Sequence, residues 1–284
     1  GACNIILGQQ AMRAGTVTGN ANIAMGQCAG FNLTSGNTNV LLGASAGANL
    51  RTCGENVFLG TLAGRGATSE GSHSSIAIGK YTLLKTEGCY NIAIGEDAGR
   101  CHTTGLDNVL IGRFAGHSAA SSGGTGNSNI FMGCYSGHSL TSGSFNIGIG
   151  PQAGANLTTG ESNIIMGCWA GYHMTDTCSN VVMGLRAGCN VGTGDWNVFI
   201  GQYAGRGCQA SSSTNTAANN IAMGCNALSE KLTTACFNIA LGAAAGLCID
   251  TGNANVNIGY FAGCANTDAN CNVAIGYAAG SMNG

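Results

Sequence analysis

The sequence predicts an all-β protein, a parallel β-solenoid (β-helix or β-roll) of 16 coils with about 17 residues per coil. The main observation is a five-residue phrase, Asn-(Ile/Val)-x-(Ile/Leu/Met)-Gly, that recurs along the whole chain. The steps between its closing glycines are mostly 17 residues, with extremes of 16 and 23, and a short fixed period is typical of solenoids. The composition agrees, because 49 glycines and a single proline suit tight corners and uninterrupted strand ladders. The closing glycines are Gly8, Gly26, Gly43, Gly60, Gly79, Gly95, Gly112, Gly133, Gly150, Gly167, Gly184, Gly201, Gly224, Gly242, Gly259 and Gly276.

Each phrase predicts one short strand when its positions are numbered from the closing glycine as position 0. Position −3 is always Ile or Val and position −1 is always Ile, Leu or Met. These two positions share one side of a strand, and we expect that side to face the solenoid interior. Position −4 is Asn in every repeat except the one with Ser75, and we expect these amides to stack in a ladder. The predicted structural ladder consists of Asn4, Asn22, Asn39, Asn56, Asn91, Asn108, Asn129, Asn146, Asn163, Asn180, Asn197, Asn220, Asn238, Asn255 and Asn272.

The segment between two phrases predicts the rest of the coil. An Ala-Gly pair at positions +3 and +4 predicts a tight corner, although Met12, Leu83 and Leu228 replace its glycine. A frequent apolar residue at position +7, such as Leu33, suggests a second, weaker strand that a Thr/Ser-Gly turn ends. Coils stacked in parallel at roughly 4.8 Å would form a rod on the order of 75 Å long.

A second, longer periodicity divides the chain into two similar eight-coil blocks, residues 1–142 and 143–284, of one continuous solenoid. The first block carries a long loop from Arg65 to His73 and the second carries one around residues 211–216. A further long loop runs from His117 to Gly126. Insertions of this kind lie on the flank of a solenoid, where they are either solvated bulges or part of a binding surface.

Composition and charge argue against several classes of function. Only 8 % of the residues are charged and the net charge is −2, which provides no positive field for nucleic acid. No apolar run approaches membrane-spanning length, so we expect no membrane insertion. The acidic residues are scattered apart from Glu96, Asp97 and Asp107, whereas a polysaccharide-cleaving β-helix needs aligned carboxylates. We therefore expect no enzyme, no cofactor and no metal site, and the lack of a regular Thr-x-Thr array argues against an ice-binding solenoid.

The 15 cysteines suggest an oxidising, extracellular setting. No Cys-x-x-Cys occurs, but a spacing of eleven or twelve residues recurs around single coils. Because each such pair flanks one strand and its corner, we expect disulfides within single coils; the alternative is that the cysteines fill small apolar positions as free thiols. The candidate pairs are Cys89–Cys101, Cys178–Cys189 and Cys236–Cys248.

Position −2 of the phrase is also apolar in most repeats, and it would point outward if its two neighbours point inward. A strand that is apolar on both faces is normally covered on both, which predicts lateral packing against other copies of the chain. The expected packing face consists of Ile6, Leu41, Phe58, Leu110, Phe131, Ile165, Val182 and Phe199.

Two features of the sequence are compatible with glycan binding or glycan attachment. Aromatic residues just after closing glycines could either stack on sugars or pad a packing face. They are Trp169, Tyr172, Tyr203, Tyr260 and Phe261. Asn32 and Asn156 stand in Asn-Leu-Thr sequons at equivalent places in two coils and are possible glycosylation sites.

The segments Asn91 to Gly99 and Asn272 to Gly280 resemble a known repeat, Asn-Thr-Ala-Ile-Gly-x-x-Ala-(Gly/Leu). This repeat is found in phage tail fibres and bacterial surface fibre proteins, and there is a looser similarity to the Ala-Ile-Gly repeats of trimeric adhesin heads. The resemblance covers the whole chain and implies a parallel β-roll, an extracellular fibre shaft and a trimer.

The expected function is therefore that of a non-enzymatic, extracellular structural protein that forms the shaft of a fibre or filament by self-association. A glycan-binding adhesin on the same scaffold, with a cell-surface glycan as its partner, is the alternative. We also expect a long filament, either by head-to-tail stacking of chains or because this chain is one stretch of a longer tandem array. If a second copy followed residue 284 directly, the step from Gly276 to its Gly8 would be 16 residues, which lies within the observed spacing.

Overall fold

A computed structural model describes residues 1–66, 73–118, 123–207 and 215–281. Most of the three long loops predicted from the sequence lies outside these described residues. The fold is all-β, a parallel β-solenoid with about 17 residues per coil, which confirms the predicted fold class. The chain forms two compact units, Gly1–Ser144 and Phe145–Gly284.

Each unit contains eight strands of three residues. The first unit holds β1 (Ile5–Leu7), β2 (Ile23–Met25), β3 (Val40–Leu42), β4 (Val57–Leu59), β5 (Ile76–Ile78), β6 (Ile92–Ile94), β7 (Val109–Ile111) and β8 (Ile130–Met132). The second holds β9 (Ile147–Ile149), β10 (Ile164–Met166), β11 (Val181–Met183), β12 (Val198–Ile200), β13 (Ile221–Met223), β14 (Ile239–Leu241), β15 (Val256–Ile258) and β16 (Val273–Ile275).

Within each unit, consecutive strands pair in parallel and in register, so that equivalent positions of the repeat form columns. In β4 and β5, for example, Phe58 lies beside Ala77. The predicted second strand does not form in the described residues, where the one bridge outside the named strands joins His102 and Gly124. Residues in the left-handed region, such as Cys28 (φ 56°) and Gly30 (φ 58°), interrupt the extended conformation after each strand. Neighbouring coils nevertheless continue to hydrogen-bond there, as Gly30 N does to Ala46 O at 2.9 Å.

The solenoid interior lies on the opposite side of the strands from the side that the sequence suggested. Position −2 is buried in β2 to β16, whereas positions −3 and −1 are half-buried or exposed. The proposed packing-face assignment was therefore wrong. Seven of its eight residues are fully or almost fully buried inside their own chain, and Ile6, at the same inward position, is half-exposed because β1 has no strand before it. These residues are Ile6, Leu41, Phe58, Leu110, Phe131, Ile165, Val182 and Phe199.

The parity of the strand explains this correction. Positions −4, −2 and 0 share one side of an extended chain, so the buried asparagines and the inward position −2 belong together. The closing glycine completes this side. At Gly95 (φ +128°) an added Cβ would lie 2.7 Å from the carbonyl oxygen of Gly112 in the next coil. This close approach between coils explains why each repeat ends in glycine.

The interior is filled by residues whose sizes compensate between position −2 and the corner at +4. Where position −2 is Phe58, an added Cβ at the corner residue Gly64 would lie 2.2 Å from its ring. Where position −2 is Ala77, the corner residue is Leu83, which is fully buried. Two of the three corner exceptions, Leu83 and Leu228, are therefore packing solutions that accompany alanine at position −2, as expected of an interior at close-packed density.

Candidate functional site

The asparagine column forms a hydrogen-bonded ladder on the inner side of the coils. Asn180 shows the pattern: its Nδ2 donates to Asn163 Oδ1 at 3.0 Å and to Cys178 O at 3.1 Å. Its Oδ1 accepts from the backbone N of Asn197 at 2.9 Å and from that residue's Nδ2 at 3.1 Å. Both donors and the acceptor of this buried amide are thereby satisfied, which makes the asparagine column structural.

Ser75 replaces one asparagine without breaking the chain of hydrogen bonds. Its backbone N donates to Asn56 Oδ1 at 3.0 Å, and its Oγ accepts from the backbone N of Asn91 at 3.2 Å. A hydroxyl can therefore take over the acceptor role of the amide oxygen, although it cannot supply both amide donors.

The outer face of each unit, defined as positions −3 and −1 of its strands, is an apolar surface that no described residue of the unit covers. All of its side chains are Ile, Val, Leu or Met, and all are half-buried or exposed. In the first unit these are Ile5, Leu7, Ile23, Met25, Val40, Leu42, Val57, Leu59, Ile76, Ile78, Ile92, Ile94, Val109, Ile111, Ile130 and Met132. In the second they are Ile147, Ile149, Ile164, Met166, Val181, Met183, Val198, Ile200, Ile221, Met223, Ile239, Leu241, Val256, Ile258, Val273 and Ile275.

Exposed aromatic side chains stand beside the outer face at position −5. Tyr90, Phe145, Trp196 and Phe237 are each 60–62 % exposed. Each has a positive φ, between 55° and 61°, which bulky residues rarely adopt. These aromatic residues were not predicted from the sequence, although their regular place one residue before the asparagine could have revealed them.

The predicted disulfides were wrong, because all six candidate cysteines are free thiols: Cys89, Cys101, Cys178, Cys189, Cys236 and Cys248. The two members of a pair belong to different columns of the solenoid. The carbonyl of Cys89 accepts from Asp107 N in the turn before β7, whereas Cys101 N donates to the carbonyl of His117 beyond the next corner. A spacing of eleven or twelve residues therefore does not bring the two sulfur atoms together. Of the six cysteines only Cys189 is buried, so the alternative of free thiols in small apolar positions fits that residue alone.

The second unit carries a cationic cleft after the corners that follow β10, β11 and β12. Its volume is about 260 Å³, and Trp169, His173, Arg186, Cys189, Asn190 and Arg206 line it. The Arg186 Cζ lies 5.5 Å from the centroid of the Trp169 ring, and the Arg206 Cζ lies 5.2 Å from that of Tyr203. Burial raises the pKa of the Cys189 thiol, although both guanidinium groups act against that shift.

The aromatic candidates of the sequence divide between two places in the second unit. Trp169 lines the cationic cleft, where its ring centroid is 4.5 Å from that of Tyr172, and Tyr203 supports Arg206. Tyr260 and Phe261 instead pack against each other edge to face, with their centroids 4.5 Å apart.

The first unit carries a stacked aromatic cluster after β7 and β8. Phe114 stacks on Tyr135 with centroids 4.8 Å apart, and His117 stacks on His138 at 5.1 Å. Arg113 lies over both Phe114 and Tyr135. Burial lowers the pKa of His117 and that of His138, and the second histidine lowers that of His117 further.

One histidine, His102, lies in the interior of the first unit. His102 is 1 % exposed, and neither ring nitrogen has a hydrogen-bond partner. Burial lowers its pKa to about 4. Its position, +7, is the one that Leu33 and Leu50 fill in other coils, so aligning the repeats could have identified it.

The remaining polar candidates show no catalytic arrangement. Asp97 is buried and pairs with Arg100 at 3.1 Å, whereas Asp107 is exposed. Within the described ranges, no group of three or more His, Cys, Asp or Glu side chains is placed to hold a metal ion. The two sequon asparagines are half-buried and their amide nitrogens are engaged: that of Asn32 contacts Asn49 at 3.2 Å and that of Asn156 contacts His173 at 3.4 Å.

No protein-family model matches the chain, and a comparison with curated proteins also gives no match. Among the residues that the structure describes, no helix has the length and apolar character of a membrane span.

Proposed function

We propose that the chain is a non-enzymatic structural protein that forms the shaft of an extracellular fibre or filament by self-association. The observation that carries this proposal is the uncovered outer face. Each unit presents sixteen apolar side chains and no charged one on this face. Contiguous apolar surface of this kind marks a contact site, and its uniform repeat makes a second copy of the same chain the matching partner. The extracellular setting and the preference for a trimer rest on the resemblance to fibre repeats.

Stacking along the solenoid axis is supported by the two terminal strands. Ile6 in β1 occupies the inward position but is 49 % exposed, whereas Leu41 at the same position of β3 is fully buried. In the second unit, an added Cβ on Gly276 would meet no heavy atom within 4 Å, whereas one on Gly259 would lie 2.5 Å from the carbonyl oxygen of Gly276 in the next coil. A further coil, supplied by a second copy or by the same chain, would cover both places, and an unpaired strand edge favours such addition.

The proposal is tested with charged substitutions on the outer face. The triple variant Leu42→Lys, Leu59→Lys, Ile111→Lys places three ammonium groups in the presumed contact, and we expect it to remain folded but monomeric. The matched control, Ser35→Lys, Thr52→Lys, Thr104→Lys, adds the same charge to exposed turn positions of the same three coils. Light scattering and electron microscopy of the parent and the control should show assemblies, with three chains per cross-section. A monomeric parent at high concentration, or an outer-face variant that still assembles, would refute the proposal.

Binding of a cell-surface glycan is the second candidate function. It is favoured by the cationic cleft of the second unit, where arginine and aromatic side chains line one concavity.

A further inference from the structure

The cationic cleft forms because three successive coils carry side chains of different sizes at equivalent positions. At position +2 the coils after β10, β11 and β12 carry Trp169, Arg186 and Tyr203, and the Arg186 guanidinium lies over the Trp169 ring. At position +5 the same coils carry Tyr172, Cys189 and Arg206. Because the small Cys189 stands between two large residues, the second column has a gap.

The floor and walls of this gap are held in place by backbone hydrogen bonds between coils. Cys189 and Asn190 are buried and form its floor. The carbonyl of Cys189 accepts from His173 N at 2.9 Å, and Asn190 N donates to Arg206 O at 2.8 Å. The amide nitrogen of Asn190 also donates to Gly207 O at 3.3 Å. The concavity is therefore part of the packed solenoid.

The cleft carries two positive charges without acidic partners. Among the described residues, the one ion pair joins Asp97 and Arg100 in the other unit, so no described carboxylate is paired with Arg186 or Arg206. The Nε of Arg206 is buried and has no hydrogen-bond partner. Stacking on Trp169 holds the Arg186 guanidinium in a fixed place, and planar guanidinium groups pair well with oxyanions.

We infer that this cleft binds an acidic sugar, with the two guanidinium groups on its carboxylate or sulfate and the ring over the floor of Cys189 and Asn190. A volume of about 260 Å³ falls just below the range of drug-sized pockets, which suits one sugar ring. His173 and Asn190 supply neutral polar groups for sugar hydroxyls. The inference deepens the glycan-binding candidate and does not depend on the structural role, because the cleft lies beyond the corner and not on the outer face.

The test uses the fluorescence of Trp169 in the full-length chain. The protein has two tryptophans, so Trp196→Phe leaves Trp169 as the single reporter. The ligands are methyl glucuronide, galactose 6-sulfate, methyl glucoside and sodium sulfate. We expect saturable binding of at least one acidic sugar, at least tenfold tighter than that of methyl glucoside or of sulfate alone, and weakened by added salt. No saturable binding of either acidic sugar, or equally tight binding of sulfate or of the neutral sugar, would overturn the inference.

Two variants locate the binding. Arg206→Gln should weaken it at least tenfold. Cys189→Leu should abolish it by filling the gap, and it should fold because Leu247 occupies position +5 of another coil. The matched control is Cys264→Leu, the same change at position +5 of the coil after β15, which should bind as the parent does. Undiminished binding by Cys189→Leu would show that the cleft is not the site.

The same variants separate this inference from the structural proposal. Electron microscopy of Cys189→Leu should show the same assemblies as the parent. Loss of sugar binding with normal assembly supports the cleft, whereas a parent that binds the sugar but stays monomeric refutes only the fibre shaft.

Discussion

Replacing the buried histidine of the first unit, His102→Leu, should make the protein less sensitive to acid. His102 is fully buried, and burial lowers its pKa to about 4 from the usual 6.5. Between these two values the unfolded chain binds a proton that the folded chain does not. The contribution of His102 to stability is therefore fully present above pH 6.5 and is lost as the pH falls towards 4.

The size of this effect follows from the pKa difference. Each unit of difference corresponds to about 1.4 kcal/mol, so the full change across the window is roughly 3 kcal/mol, and roughly 2 kcal/mol is already lost at pH 5. Leucine carries no titrating group, and Leu33 and Leu50 already occupy this position in other coils. The variant should also be at least as stable as the parent at pH 8, since it removes two unpartnered ring nitrogens from the interior.

Urea unfolding at pH 5, 6, 7 and 8, followed by circular dichroism, measures both effects. The free energy of unfolding of the parent should rise with pH over this range, and that of His102→Leu should rise less, by about 1–2 kcal/mol between pH 5 and 8. Leu50→Val, at the same position of another coil, provides the control, because it changes a buried side chain without changing a titrating group and should keep the pH dependence of the parent. An unchanged pH dependence in His102→Leu would show that the buried histidine does not cause the acid sensitivity.

Three further changes test the interior. Asn180→Ala should lower the free energy of unfolding by roughly 2–4 kcal/mol, because it leaves buried hydrogen-bond partners unsatisfied. Asn180→Ser should lower it less, since Ser75 already takes the place of an asparagine in another coil. An equal decrease in the two variants would contradict the role of the ladder. Gly95→Ala should destabilise the protein by more than about 2 kcal/mol. Gly15→Ala should change the stability by less than about 0.5 kcal/mol, because an added Cβ there meets nothing within 4 Å. Thermal unfolding distinguishes the two variants. Asn257→Leu should stabilise by roughly 1–3 kcal/mol, because both amide atoms are buried without partners; a destabilised variant would mean that the amide is satisfied in solution.

The sequence was sufficient for the fold because the repeat fixes each strand and each closing glycine. It was also sufficient to identify which side of each strand faces the solenoid interior, although the prediction named the opposite side. Asparagine at position −4 shares its side of the strand with position −2, and a stacked amide ladder is favourable in a protected interior. Positions −3 and −1, such as Val57 and Leu59, were assigned to the interior instead because all of them are apolar. The combination of the small Ala77 with the large Leu83 in one coil was a second indication that position −2 faces inward.

The cysteines and the cleft were harder to predict because they depend on which columns become neighbours. Sequence spacing measures distance along the chain, but contacts in a solenoid join equivalent positions of successive coils. Cys89 and Cys101 are close in sequence and lie in different columns. Trp169 and Arg186 are 17 residues apart and are stacked. An alignment by position number would have placed the arginines beside the aromatic residues, but the volume left by Cys189 requires coordinates.

We propose that the apolar outer face has a function outside the fold of a single chain. The interior tolerates Phe58, Ala77 and Asn257 at equivalent positions, because the corner and the neighbouring coils adjust to fill the space. The outer positions show no such variety, although their side chains remain partly exposed and contribute little to the core. Polar, β-branched threonine would suit an exposed strand surface equally well. Val57→Thr and Val109→Thr should therefore leave the free energy of unfolding of the monomer within about 0.5–1 kcal/mol of the parent while weakening assembly. If both variants unfold the monomer instead, the outer face belongs to the fold and no partner is needed to explain it.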